Sequence, residues 1–197
     1  MILEEVKPLL PIHFFRFSAD LNYGKVLFPF KTYLLPDPSK WFGEESFGQV
    51  ALAWNPEGIL AEVVFDKEFA EGDSVELFID TRDLKNAGFP HQFCHHFFIT
   101  PEGGNEITQF RTEDRHPLCD PKGIDVKTDF GKSNYRMHIF ISSQCLHGYD
   151  TTLFDRIGFT YRLNRLRREP QHFVVSSRFY GIPQHPSLWA TLKMRKG

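Results

Sequence analysis

The stretch Gly72-Asp73-Ser74-Val75-Glu76-Leu77-Phe78-Ile79-Asp80-Thr81-Arg82 constrains the fold of this chain more than any other. Gly72-Asp73 is turn chemistry. Val75, Leu77 and Ile79 then occupy one parity, and Ser74, Glu76, Phe78 and Asp80 the other. Successive side chains of a strand point to opposite faces, so the alternation predicts a strand with one apolar and one mixed face. Upstream, Val50–Trp54 and Ile59–Asp66 are apolar runs separated by Asn55-Pro56-Glu57-Gly58, which predicts two further strands joined by a turn. Later runs at Gln92–Ile99, Glu106–Arg111, Ile124–Phe130, Tyr135–Ile141, Ile157–Asn164, Gln171–Ser177 and Leu188–Met194 read the same way. Ile12–Phe17 and the Pro29-split run Lys25–Leu35 are the earlier strand candidates. No segment sustains a helical period. Many short strands with Gly/Pro turns predict one all-β domain, a jelly-roll-like β-sandwich of two antiparallel sheets. Residues 1–11 form a lead-in with Pro8 and Pro11, and the core spans about 12–194.

Residues 50–82 resemble the family 9 carbohydrate-binding modules and the related DOMON sandwiches, in which an apolar strand ending in Trp, a Gly-containing turn, a second strand and G-D-S-V-E-L-F-I-D follow one another. Ile157–Arg165 is similar to the late strand of that family, and Pro186–Leu192 to its closing strand. The resemblance implies a sandwich that binds a saccharide without catalysis. It also admits two alternatives: a scaffold or protein-interaction domain on the same fold, and a DOMON-like variant that binds a metal or haem. Haem would need Met137 or Met194 as a ligand.

A sugar packs its C–H face on an aromatic ring and gives its hydroxyls to acids, amides or arginine. Trp41 lies in a loop beside Gly43 and Glu44 and is the expected platform; Trp54 and Trp189 read as core. Arg111, Glu113, His116, His147 and Tyr149 sit in two long polar connections and are the expected polar contacts. These connections, 111–120 and 144–150, are expected to meet near His95 or His96.

Calcium takes oxygen ligands, and Asp80 and Asp83 flank a strand exit, which makes them candidate calcium ligands. Eight of the nine histidines fall between His91 and His185. Cys94, His96, His116 and Cys119 form an alternative transition-metal set, with Cys94 and His96 on one face of their strand. His95 points to the opposite face.

Glu113, Asp114, His116 and Asp120 make a dense acid–His loop. No nucleophile elbow, phosphate loop or paired catalytic carboxylate motif accompanies it, so a non-catalytic domain is expected. Net charge is -2, and the basic cluster Arg162, Arg165, Arg167 and Arg168 lacks an aromatic RNA-reading motif, so no nucleic-acid partner is expected. No apolar run reaches membrane-spanning length. Three widely spaced cysteines suit a reducing compartment, and Met1–Glu5 lacks a basic leader segment, which together tilt the expectation towards the cytoplasm.

Overall fold

The structure is a computed structural model that describes residues 17–108, 115–174 and 181–196. Its strands are β1 (Ser18–Tyr23), β2 (Gly48–Asn55), β3 (Gly58–Phe65), β4 (Ser74–Asp80), β5 (Cys94–Thr100) and β6 (Gly103–Glu106), then β7 (Ile124–Phe130), β8 (Tyr135–Ser142), β9 (Arg156–Asn164), β10 (Gln171–His172) and β11 (Ala190–Arg195). Hydrogen bonds connect them in the order β6-β5-β4-β9-β11-β1-β2-β3-β8-β7, with β10 on β9. The path folds over on itself, so that Gly104 of β6 packs beside Ile124 of β7. The result is a β-sandwich that is almost a closed barrel. Pairings are antiparallel except where β1 joins β11 and β2, which are parallel.

The alternation read in the sequence builds the core. Val75, Leu77 and Ile79 of β4 meet Phe97 and Ile99 of β5 and Phe159, Tyr161 and Leu163 of β9. Facing them are Val50 and Leu52 of β2, Ile59, Val63 and Phe65 of β3, and Tyr135, Met137 and Ile139 of β8. Two polar side chains tie the layers. Tyr135 donates its hydroxyl to Asp73 Oδ2 at 3.0 Å, and Phe65 stacks on the Tyr135 ring at 4.5 Å. The Gln171 amide accepts from the backbone N–H groups of Phe47 and Gly48 and donates to the Gly48 carbonyl, so it stands in for a strand neighbour. Trp54 is core, as expected, and its indole N–H reaches the Arg195 carbonyl at 3.2 Å.

Several boundaries differ from the sequence reading. Lys25–Leu35 is not a strand. Pro29 has no N–H to give a ladder, and the chain makes one helical turn, α1 (Phe30–Tyr33), before Leu34 bridges Ala51. Trp189 ends a 3-10 turn just before β11 instead of lying within it. Of the strand expected at Glu106–Arg111, 109–111 lie outside the described residues, and β6 runs Gly103–Glu106, because Gly103-Gly104 continue the turn into the ladder. That expected at Gln171–Ser177 is the two-residue β10, and 175–177 lie outside the described residues. So does Ile12–Phe17 except for Phe17, whose carbonyl accepts from Thr191. Among the described residues, no helix is long and apolar enough to cross a membrane.

At the β2–β3 turn the backbone runs close against β8. Gly58 has φ 152°, and a Cβ there would lie 2.1 Å from the Ile141 carbonyl oxygen. Gly72 also has positive φ, 92°, but faces open space. Gly58→Ala should therefore cost clearly more than Gly72→Ala, which carries only backbone strain of about 1–3 kcal/mol. Urea unfolding of both variants measures the difference; equal losses would refute the steric account.

Candidate functional site

The mixed face of β4 does not point to open solvent. Ser74, Glu76, Phe78 and Asp80 are as buried as the apolar parity behind them. They lie on the outward face of the sheet, and register decides what they meet. Glu76 stands opposite Arg162 of β9 and Phe98 of β5; Phe78 stands opposite His96. Ser74 stands opposite Asn164. On β10, His172 stands opposite Arg162 and so shares this face.

Glu76 is the centre of the cluster. Its Oε1 accepts from Arg162 Nε at 2.7 Å and Asn164 Nδ2 at 2.6 Å. Its Oε2 accepts from Arg162 at 2.5 Å and pairs with His96 Nε2 at 2.6 Å. Burial alone would raise the Glu76 pKa. Hydrogen bonds from His96, Arg162 and Asn164 outweigh it and hold the carboxylate down to about 2. His172 goes the other way to its neutral form: burial and then the Arg162 charge push it down to about 4. Its Nδ1 meets the Pro170 carbonyl, while its Nε2 is buried with no partner among the described residues.

Apolar rings frame this polar centre. Phe78 packs on the His96 ring at 4.2 Å and on Trp189 at 5.8 Å. Trp189 is buried, as read, and donates its indole N–H to the Ile182 carbonyl at 2.9 Å. Phe98, at 37% exposure, remains open beside Glu76. A cavity of about 200 Å³ adjoins the cluster, bounded by His96, Cys94, Pro90, Ile107, Gln184 and Trp189. Charged donors, a carboxylate and exposed ring surface thus share one sheet face.

The residues expected from the sequence are distributed differently. Trp41 lies on a 3-10 turn (Ser39–Phe42) and is 75% exposed. Arg111 and Glu113 lie outside the described residues. Tyr149 is half-buried against the core and donates to the Asn55 carbonyl at 2.9 Å, so it secures the β2–β3 turn. His116 and His147 do meet His95, as the two-loop reading expected: the His95 and His116 rings lie 4.5 Å apart, and His147 stacks on His116 at 5.4 Å. This meeting is on the inward face of β5, where His95 and His116 are buried and His147 is exposed.

The set Cys94, His96, His116 and Cys119 is therefore not one site. Cys94 and His96 project outward from β5, whereas His116 sits with His95 behind it, because adjacent strand residues face opposite ways. Cys119 belongs to the inward group through its backbone N–H, which reaches Glu106 Oε2 at 2.8 Å. Asp80 accepts from the Arg82 and Leu84 amides, closing the strand exit. Asp83 pairs with Lys85 at 2.6 Å and accepts from Thr191 at 2.8 Å. Met137 and Met194 are both core residues.

No family model and no curated protein matches this sequence. Solved structures do. A family 9 carbohydrate-binding module from Caldicellulosiruptor kristjanssonii, in complex with cellotriose, superposes with a TM-score of 0.63 over 91% of this chain and 94% of its own, at 16% identity. The chain has the fold of a family 9 carbohydrate-binding module. The glucose complex of such a module from the same organism gives the same TM-score at 15% identity, over 91% of this chain and 96% of that one. A carbohydrate-binding candidate from Bacteroides uniformis gives 0.56 at 11% identity, covering 91% and 99%. On this family 9 fold, sequence reasoning missed Glu76, Arg162, Asn164 and His172 as a group. Their signal was parity: Glu76 on β4 and Arg162 and Asn164 on β9 are polar residues in step on strands whose other parity is apolar.

The shifted groups give distinct pH windows. His172 is harder to protonate folded than unfolded, so stability falls as pH drops from about 6.5 to about 4. Glu76 has a depressed pKa, so its contribution is complete above about 4.5 and is lost as pH falls towards 2. Urea midpoints at stepped pH should show His172→Gln flattening the upper window and Glu76→Gln the lower. A Glu76→Gln profile parallel to wild type below pH 4.5 would contradict the assignment.

Proposed function

We propose that this domain binds a saccharide, without catalysing its cleavage, on the outward face of β4, β5, β9 and β10. The carrying observation is Glu76, an ionised carboxylate gathered with Arg162, Asn164 and His96 beside the open ring of Phe98. Sugar hydroxyls are both donors and acceptors. Glu76 has its acceptor positions filled and fixes Arg162, Asn164 and His96, whose guanidinium, amide and imidazole groups serve the sugar oxygens. Phe98 offers the flat apolar surface that the C–H face of a pyranose packs on. Such pockets combine a few fixed polar groups with ring walls. The cellotriose and glucose complexes formed by modules of the same fold support the reading.

Arg162, Asn164 and His96 already hydrogen-bond to Glu76. A ligand therefore meets an arranged set and does not have to order flexible side chains, which lowers the entropic cost of binding. Trp41, also expected as a platform, is exposed on a separate turn and serves as the comparison site.

Titration calorimetry with glucose, cellotriose and other short oligosaccharides tests this. Glu76→Gln or Arg162→Gln should weaken binding by about 10- to 100-fold, the effect of losing a hydrogen bond to a charged group. Phe98→Ala should weaken it too, and Trp41→Ala should leave it unchanged. Binding that survives the first three and fails in Trp41→Ala would move the site to the Trp41 turn. A folded protein that binds none of a broad glycan panel would remove the saccharide reading.

A further inference from the structure

A second polar centre lies on the inward face of β5, apart from the saccharide face and independent of it. His95 Nδ1 is 2.7 Å from Glu106 Oε1, and His116 Nε2 is 2.9 Å from the same oxygen. All three side chains are buried, and their converging ligand atoms lie within 4.8 Å of one another. The chain supplies them from β5, from the end of β6 and from the segment leading to Cys119.

Hydrogen-bond bookkeeping at this centre leaves a proton problem. His116 Nδ1 sits 2.6 Å from the Gln92 carbonyl, and His95 Nε2 sits 3.5 Å from the His147 carbonyl. Each ring thus has an acceptor at both nitrogens: a backbone carbonyl on one side and the Glu106 carboxylate on the other. Neutral imidazole has one N–H. To satisfy every contact with protons, both rings must be imidazolium, two cations with ring centres 4.5 Å apart, inside the protein. Like charges so placed and desolvated repel strongly.

A divalent ion resolves this with no change in net charge. Two imidazolium rings and one carboxylate sum to plus one, and so do two neutral rings, one carboxylate and one divalent ion. Two ring protons leave to solvent as the ion enters. Each histidine then keeps its N–H for the backbone carbonyl and turns its bare nitrogen to the metal, which is the usual orientation of a ligating histidine. The carboxylate is supported as a ligand would be: Thr108 Oγ1 donates to Oε1 at 2.9 Å, and the Cys119 N–H donates to Oε2 at 2.8 Å. We propose that His95, Glu106 and His116 bind a divalent transition metal of the zinc class. Two imidazoles and one carboxylate suit zinc, iron(II), cobalt(II) or nickel(II) and do not suit calcium, which prefers an all-oxygen shell. The ion would clasp β5 and β6 to the segment around His116.

The test uses the full chain, stripped with chelator and then titrated with Zn²⁺ and Co²⁺. One equivalent of Co²⁺ should bind with a ligand-field spectrum, and excess Zn²⁺ should raise Tm by on the order of 5 °C. Glu106→Gln should weaken uptake at least tenfold. Cys94→Ala is the discriminating control, because Asp80, His91 and Cys94 are the other described side chains grouped closely enough to hold an ion. Loss of uptake in Cys94→Ala and not in Glu106→Gln would overturn the assignment. Should Glu106→Gln fail to fold, ring ¹⁵N spectra of the wild type decide. Zinc-dependent shifts of His95 and His116 that leave one N–H on each ring support the site. Two protons on each ring in the presence of excess Zn²⁺ overturn it.

Discussion

Much of this structure follows from an ionised carboxylate on a sheet face that is covered instead of solvated. Removing one partner from such a group typically costs about 3–5 kcal/mol, because the remaining charge is left buried and alone. Glu76 therefore needs Arg162, Asn164 and His96 together. The requirement reaches across three strands. A slip of one residue in β4 would drive Glu76 into the apolar core and expel Leu77, so the polar cluster and the core enforce the same register. The Glu76 face is also where the protein offers polar groups and an open ring side by side.

The consecutive residues His95 and His96 divide the domain's polar chemistry. His96 turns outward to Glu76, and His95 turns inward to Glu106. One strand thus serves two centres with different surroundings. The outward centre adjoins a cavity and Phe98, which suits a soluble ligand. At the inward centre His95, Glu106 and His116 are buried, with Phe97 stacked against His95, which suits a small ion. Phe93 stacks on His147 at the edge of this inward group, and Arg82 lies over the rings of Phe93 and Phe154.

What the sequence made legible was local. Alternation at Val75, Leu77 and Ile79 located the core face, Asn55–Gly58 located the hairpin, and Trp54 was readable as core from its place at the end of an apolar run. The polar loops that carry His116 and His147 were readable as meeting near His95 or His96, and the structure brings them to His95. The Glu76 cluster was not. Glu76 and Asn164 alone are 88 positions apart, and parity within a strand does not tell which strands are neighbours. Without the order β5-β4-β9-β10, Glu76 reads as one more acid on a half-exposed face. Trp41 drew attention for the opposite reason: an aromatic beside a glycine in a loop is conspicuous locally, whether or not polar groups gather around it.

The central claim is that the ligand face is the outward side of β4, β5 and β9. Mapping amide chemical-shift changes while titrating cellotriose tests it most directly. The account predicts saturable changes concentrated at Glu76, His96, Phe98, Arg162 and Asn164, with the Ser39–Phe42 turn unmoved. Changes centred on Trp41, or a spectrum unchanged at saturating sugar, would contradict it.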